Sequence, residues 1–379
     1  MSAIHDFLVA RQTQILADLE DFVTRETPTD DKPRLDAFAE FLRGYAERMS
    51  SGVATVLREE RQGNHVRLQV GGANGAAPIF MVGHFDTVWP VGTLQQMPFR
   101  VEDGLVRGPG VFDMKAGLVQ ALWAVRAVGE TGGRLPPIIF LFNSDEEIGS
   151  PTSRTLIEEE ARRAHVSLVL EPAFHGALKT ARKGVGIFTV EVTGRAAHAG
   201  SEPWEGVSAI DEAARLTLQL HAASGGKDDP TVNVGVLQGG TRGNVVAASA
   251  RMEVDLRVPT KRDAERMCAL VQGLKPHHLD AVVRVTGGMN RPPMERTERV
   301  VQLFRHARSL AAELGFQLEE AAVGGASDGN FCAGVNPAVL DGLGAVGDGG
   351  HALTEHVQLE HIVPRAALVA RLLQTISEV

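Results

Sequence analysis

The stretch APIFMVGHFD, residues 77–86, decides the fold. Ala77–Gly83 is a short apolar run, the length of a strand covered on both faces, and the chain leaves it on a histidine and an aspartate. The same construction recurs. Pro137–Asn143 (PIIFLFN) leads into Asp145-Glu146-Glu147, and Ser167–Leu170 (SLVL) leads into Glu171-Pro172. Between and after these runs, Met114–Val128, Arg299–Leu314 and Glu360–Ile376 carry apolar residues at helical spacing, and Asn336–Leu340 reads as a strand. At the start, Ile4, Phe7, Leu8, Ile15, Leu16, Leu19 and Phe22 predict one amphipathic opening helix. Apolar strands alternating with helices predict an α/β domain with a mainly parallel central sheet flanked by helices.

The middle of the chain has another rhythm. Gly186–Val192 alternates as a strand, Gly206–Ala223 is helical, and Thr231–Leu237 and Ala250–Val258 are strands joined through a Gly-rich turn. Lys261–Leu274 is helical and Ala281–Thr286 is a last strand. The order β-α-β-β-α-β is that of a ferredoxin-like α+β domain. The predicted organisation is a discontinuous α/β domain, residues 1–183 and 289–379, with the α+β domain 184–288 inserted. Hinges are expected near Lys183–Gly184 and Gly287–Gly288.

A chain of 379 residues fits two domains at about 150 residues each. With 38 basic and 47 acidic side chains the net charge is −9, the wrong sign for a nucleic-acid partner. No apolar stretch approaches the roughly 20 residues of a membrane span. The N-terminus lacks the basic start and unbroken apolar core of a signal peptide, so a cytoplasmic location is expected. Cys268 and Cys332 are expected as reduced thiols.

Chemistry concentrates where predicted strands end. His84 and Asp86 follow the first strand, Asp145–Glu147 the second and Glu171 the third. Asp113, in GPGVFDMKAG (108–117), lies between a Gly-rich turn and a helix. In open α/β sheets ligands bind outside the carboxyl ends of the strands. Carboxylates converging there repel unless cations hold them. The pieces carry weight as an ordered set, together with His351 in Gly349-Gly350-His351. His, Asp and Glu without cysteine suit zinc or a similar divalent ion. The Gly-rich GPGVF has neither a P-loop lysine pattern nor a G-x-G-x-x-G after a strand, so nucleotide binding is not indicated.

The strings GHFDTV (83–88), GPGVFDMKAG (108–117), SDEEIGS (144–150), EP (171–172), GRAAHAG (194–200), NVV (244–246) and GGASDG (324–329) resemble the motifs of the co-catalytic zinc exopeptidases, in order over nearly the whole chain. That family includes glutamate carboxypeptidase (carboxypeptidase G), acetylornithine deacetylase, succinyl-diaminopimelate desuccinylase and aminoacylase. The resemblance implies a zinc-binding α/β domain with an inserted lid that forms a homodimer. It implies two divalent ions, zinc first, with cobalt and manganese also suited. His84, Asp113 and Glu171 would hold one ion and Asp113, Glu147 and His351 the other, with Asp113 bridging. Asp86 would accept a hydrogen bond from the His84 ring, and Glu146 would be the general base. The peptide bond after the bridging aspartate would be cis. On the lid, His198 would serve the partner subunit's site, and Asn244 and Arg257 would grip substrate polar groups. A structural ion pair of Arg257 with Glu253 or Asp255 is the alternative. Among the three histidines of 347–361, His351 aligns with the final ligand and His356 is the alternative. Ser208 replaces an Asn found in many relatives, and Trp204 adds a large side chain near His198.

The implied activity is hydrolysis of an amide next to a free carboxylate, with a small N-acyl amino acid or peptide as substrate. The stretch 83–117 is most similar to the glutamate carboxypeptidase branch, and Glu171, where dipeptide and tripeptide aminopeptidases carry Asp, points the same way. An N-acyl amino acid deacylase, a dipeptidase and a non-catalytic metal-binding relative are the alternatives.

Overall fold

The computed structural model describes residues 3–71 and 76–378. They form two compact units. One comprises the chain up to Thr180, Arg296–Ala322 and the chain from Ser327. The other comprises Ala181–Glu295 and Val323–Ala326.

The first unit is built on a six-stranded sheet, ordered Val53–Leu57, His65–Val70, Ile138–Asn143, Ile79–His84, Val166–Val169 and Val339–Leu340. The last four are mutually parallel; the first two join antiparallel at one edge. Every residue of Ile79–His84 and Ile138–Asn143 is buried, as the unbroken apolar runs require. Helices Ala116–Glu130 and Leu359–Thr375 pack on each other over the sheet, and Val119, Trp123, Leu368 and Leu372 are among their buried residues.

The opening segment is two helices, Ala3–Val9 and Gln12–Thr24, where one was expected. A single helix would need apolar residues near positions 11 and 12 to continue the stripe, and these are Arg11 and Gln12. The break lets Ile4 and Leu8 on one piece, and Ile15, Leu19 and Phe22 on the other, each find the core.

The second unit is a four-stranded antiparallel sheet, ordered Thr231–Gly239, Ser249–Val258, Gly184–Thr193 and Val282–Arg291. Helices Ala209–His221 and Lys261–Gln272 complete the ferredoxin-like order. Buried residues alternate cleanly along Ser249–Val258, which puts Ala250, Met252, Val254, Leu256 and Val258 into this unit's own core. Ser208 caps Ala209–His221 by accepting a bond from the Asp211 amide. The last strand runs past the expected hinge. Gly287 and Gly288 pair with Phe188 and Ile187 inside the sheet, and Gly287, at φ 109°, has no room for a Cβ against the Ile187 carbonyl. These glycines serve close strand packing, and the chain leaves the unit beyond them, after Glu295.

Candidate metal centre

The parallel strands deliver the side chains. His84 is the last residue of its strand, Glu171 lies just beyond Val166–Val169, and Glu147 follows Ile138–Asn143 by a short turn. Asp113 sits in the irregular turn Val111–Lys115 that opens helix Ala116–Glu130, and the Asp113–Met114 peptide is cis, as the resemblance implied. His351 takes a left-handed conformation (φ 64°) after Gly349.

These five converge. Asp113 presents one carboxylate oxygen to each of two imidazoles. Its Oδ1 lies 3.2 Å from His84 Nε2, and its Oδ2 lies 3.5 Å from His351 Nε2. Glu171 approaches His84 Nε2 at 3.6 Å, and Glu147 approaches His351 Nε2 at 3.3 Å. Ligand atoms of His84, Asp113 and Glu147 all lie within 4.8 Å of one another. His84 Nδ1 is 3.0 Å from the Asp86 carbonyl, so Nδ1 carries the proton donated there and Nε2 faces the cluster.

The electrostatics follow from this crowding. His351 is pushed up to about 10 by its bonds to Asp113 and Glu147. Burial lowers the pKa of His84, but Asp113 and Asp86 outweigh it and hold it well above the usual imidazole range. Burial raises that of Asp113, yet the two imidazoles keep it below the usual carboxylate range. Burial raises Glu147 against the pull of His351. The cluster therefore draws positive charge between its oxygens. One further atom tests the fit to metal: Glu147 Oε1 is buried and no hydrogen bond reaches it. A buried acceptor with no donor, among two imidazoles and two more carboxylates, is a donor set that suits a divalent cation.

Asp86 holds the site in a way the sequence reading did not foresee. Its closest link to the His84 ring is its backbone carbonyl; the carboxylate is 3.4 Å away. That carboxylate instead accepts the Glu146 and Glu147 amides, each at 3.2 Å, and the Thr29 hydroxyl at 2.9 Å. It thus fixes the turn bearing Glu146, which is half-buried, and Glu147. Asp145 is turned away from the cluster, accepting bonds from the amides and hydroxyls of Thr152 and Ser153.

Glu355 was missed by sequence reasoning. It is buried and accepts from the Phe112 and Asp113 amides at 2.9 and 3.0 Å through Oε1, and from the Gly110 amide and the Trp89 indole at 2.9 and 2.7 Å through Oε2. One carboxylate so pins the turn that aims Asp113. Its four-residue spacing from His351 was the only available signal. His356 does not join the cluster; its Nδ1 lies against the Thr354 carbonyl, and it lines a separate cavity with His175 and His361. Lys115, which had no assigned role, is buried and donates to the Phe22 and Arg25 carbonyls at 3.0 and 2.9 Å, tying the turn to the end of helix Gln12–Thr24.

The other three expected site residues belong to the second unit. His198 is exposed, and its Nδ1 accepts from the Gly200 and Ser201 amides, both at 3.1 Å, which leaves Nε2 as the proton-bearing nitrogen. The Asn244 carbonyl accepts from the Ala199 amide at 3.0 Å. Arg257 forks onto the Asp255 carboxylate at 2.7 and 2.9 Å, the ion pair that was its alternative reading. Trp204 is 74% exposed.

An α/β sheet whose parallel strands end on a convergent set of imidazoles and carboxylates defines a metal-dependent hydrolase. Residues 80–375 match the peptidase family M20/M25/M40, and the chain belongs to that family of metallopeptidases and deacylases. It is 33% identical to carboxypeptidase G2 of Pseudomonas sp. (strain RS-16) over 374 residues, covering 96% of this chain and 89% of that protein. Its fold matches the aminopeptidase PepT of Bacillus cereus ATCC 10987 with a TM-score of 0.77 at 21% identity, over 97% of this chain and 99% of that one. It also matches the Bacillus subtilis YXEP protein, described as a dinuclear metal binding peptidase, with a TM-score of 0.71 at 16% identity, over 97% and 99%.

Proposed function

We propose that this chain is a two-metal amidohydrolase of the carboxypeptidase G kind, releasing a C-terminal amino acid such as glutamate from an N-acyl or peptidyl substrate. The observation that carries the reading is Asp113, one oxygen turned to His84 and the other to His351. His84, Asp113 and Glu171 would hold one ion, and Asp113, Glu147 and His351 the other; zinc suits both sets, as do cobalt and manganese. Bound there, the ions supply Lewis acidity toward the amide carbonyl and toward water. Glu146 takes a proton from the attacking water and passes it to the leaving nitrogen, so that amide and water become carboxylic acid and amine. His198, with its proton on Nε2, donates to the oxygen that gains charge as the carbonyl turns tetrahedral. Arg257 offers the substrate carboxylate the planar fork that Asp255 occupies here, and Asn244 adds an amide. The kinship with carboxypeptidase G2 supports this substrate class.

We further propose a homodimer formed through the second unit. Thr231–Gly239 is an edge strand with Val236 and Leu237 exposed, and the neighbouring helix exposes Leu218. Unpaired strand edges beside apolar side chains invite pairing with a second copy. Among the described residues no helix is long and apolar enough to cross a membrane; we propose a cytoplasmic location.

The test is a panel of N-acyl amino acids and dipeptides offered to metal-reconstituted protein, with ninhydrin detection of released amine. Release of the C-terminal amino acid from substrates with a free carboxylate, and none from their C-terminal amides, is expected. Equal cleavage of the amides would overturn the reading.

A further inference from the structure

Beside the metal centre, and wholly within the first unit, lies a cavity of about 590 Å³. Glu147, one of the cluster residues, forms part of its lining. The size suits more than an acetyl group and falls in the ordinary range of small-molecule sites. Val88 and Ile148 give it an apolar side, 43% and 51% exposed. Arg61 is the only cation in its lining, and Asp30 is a carboxylate there besides Glu147.

Both walls are built. Arg61 sits on a turn held at Gly63 and Asn64. The Gly63 carbonyl accepts from the Ser144 hydroxyl at 2.6 Å, and the Asn64 amide donates to Asp36 at 2.9 Å. A Cβ at Gly63 would collide with Leu35, so the turn is seated directly on the core. Next to Asp30 in the chain, the Thr29 amide donates to the Thr87 carbonyl at 3.1 Å, and the Thr29 hydroxyl donates to Asp86. Asp86 also holds the Glu147 amide, so this wall and a cluster residue share one anchor. On this fixed frame Arg61 and Asp30 stand uncompensated: among the described residues no ion pair or hydrogen bond reaches either side chain, and they do not pair with each other. Other arginines of this unit, such as Arg25, Arg67 and Arg154, lie against a carboxylate.

We infer that this cavity receives the acyl half of the substrate and selects an acyl group bearing both a carboxylate, bound by Arg61, and an ammonium, bound by Asp30. The inference rests on the amidohydrolase reading above, in which Arg257 and Asn244 take the leaving half. Separate opposite charges in one lining match a zwitterionic head, and a guanidinium binds a carboxylate through its two-pronged fork. The apolar side accommodates the methylenes between that head and the scissile amide.

Four substrates with one leaving amino acid separate the contributions: its butanoyl, glutaryl, 4-aminobutanoyl and γ-glutamyl amides. They share a four-carbon reach and differ in charge. The γ-glutamyl compound should have the highest kcat/KM. Arg61→Gln should lower kcat/KM for the glutaryl and γ-glutamyl substrates at least about tenfold more than for butanoyl, the scale of one lost charge-assisted bond. Asp30→Asn should do the same for the 4-aminobutanoyl and γ-glutamyl substrates. Butanoyl turnover monitors folding of each variant. Rates insensitive to acyl charge, or variants that slow all four equally, would overturn the inference while leaving the amidohydrolase reading intact. Cleavage of none of the four, nor of any amide next to a free carboxylate, would overturn both.

Discussion

At the scale of single residues, two neighbours with the same side chain divide the labour. Glu147 turns one oxygen to His351 and buries the other; Glu146 belongs to the same turn and stays half-buried. Asp86 fixes both backbones, so the two carboxylates cannot exchange places. Glu146→Gln should therefore retain two ions per chain, measured by elemental analysis, while turnover falls at least about 100-fold, the lower end of what a positioned general base contributes. Near-normal turnover in a metal-replete variant would assign the base elsewhere. These residues were legible because each follows closely on a buried apolar strand, within an ordered set of motifs. Glu355 was not, because one glutamate after a loop looks like any solvated carboxylate until its four donors are seen.

Among the elements, the turn Val111–Lys115 is the piece on which the site depends. It is irregular, and its conformation is imposed from outside: Glu355 takes up four donors around it, and Lys115 anchors its far end to Phe22 and Arg25. Glu355→Gln replaces one acceptor oxygen by an amide nitrogen, which sets a donor against two of the four donors whichever way the amide turns. Loss of such an outer partner weakens metal binding by roughly 10–100-fold. A chelator competition should show that loss, with Glu355→Asp recovering part of it; an unchanged affinity would mean the turn holds itself. The buried parallel strands were readable because continuous apolar runs leave little choice of environment. The antiparallel edge was not. Val53–Leu57 and His65–Val70 mix polar and apolar residues, and their strand identity comes from pairing with each other and with Ile138–Asn143. Helix Asp328–Val335 is short and contains two glycines; its one local mark is the Ser327–Asn330 capping box.

For the whole molecule, the split into two units was readable from the change of rhythm in the chain, and the ferredoxin-like order followed from it. The second crossing point was less so, since Gly287 and Gly288 look like a flexible joint in sequence and are strand residues in the fold. In our proposal the second unit forms the dimer and lends His198 to the partner's centre. Mixing Glu146→Gln protein with His198→Ala protein, each inactive alone, should then restore part of the activity once subunits exchange, because one site of each hybrid regains both groups. Demonstrated exchange without recovered activity would confine His198 to its own chain or remove it from the chemistry.

The central claim is that Asp113 lies between two ions, one on the His84–Glu171 side and one on the Glu147–His351 side. It is tested most directly by a crystal of zinc-loaded protein measured at the zinc absorption edge. Two anomalous peaks flanking the Asp113 carboxylate, one against His84 and one against His351, are the predicted result. A single peak in the cluster, or zinc bound away from Asp113, would contradict the account.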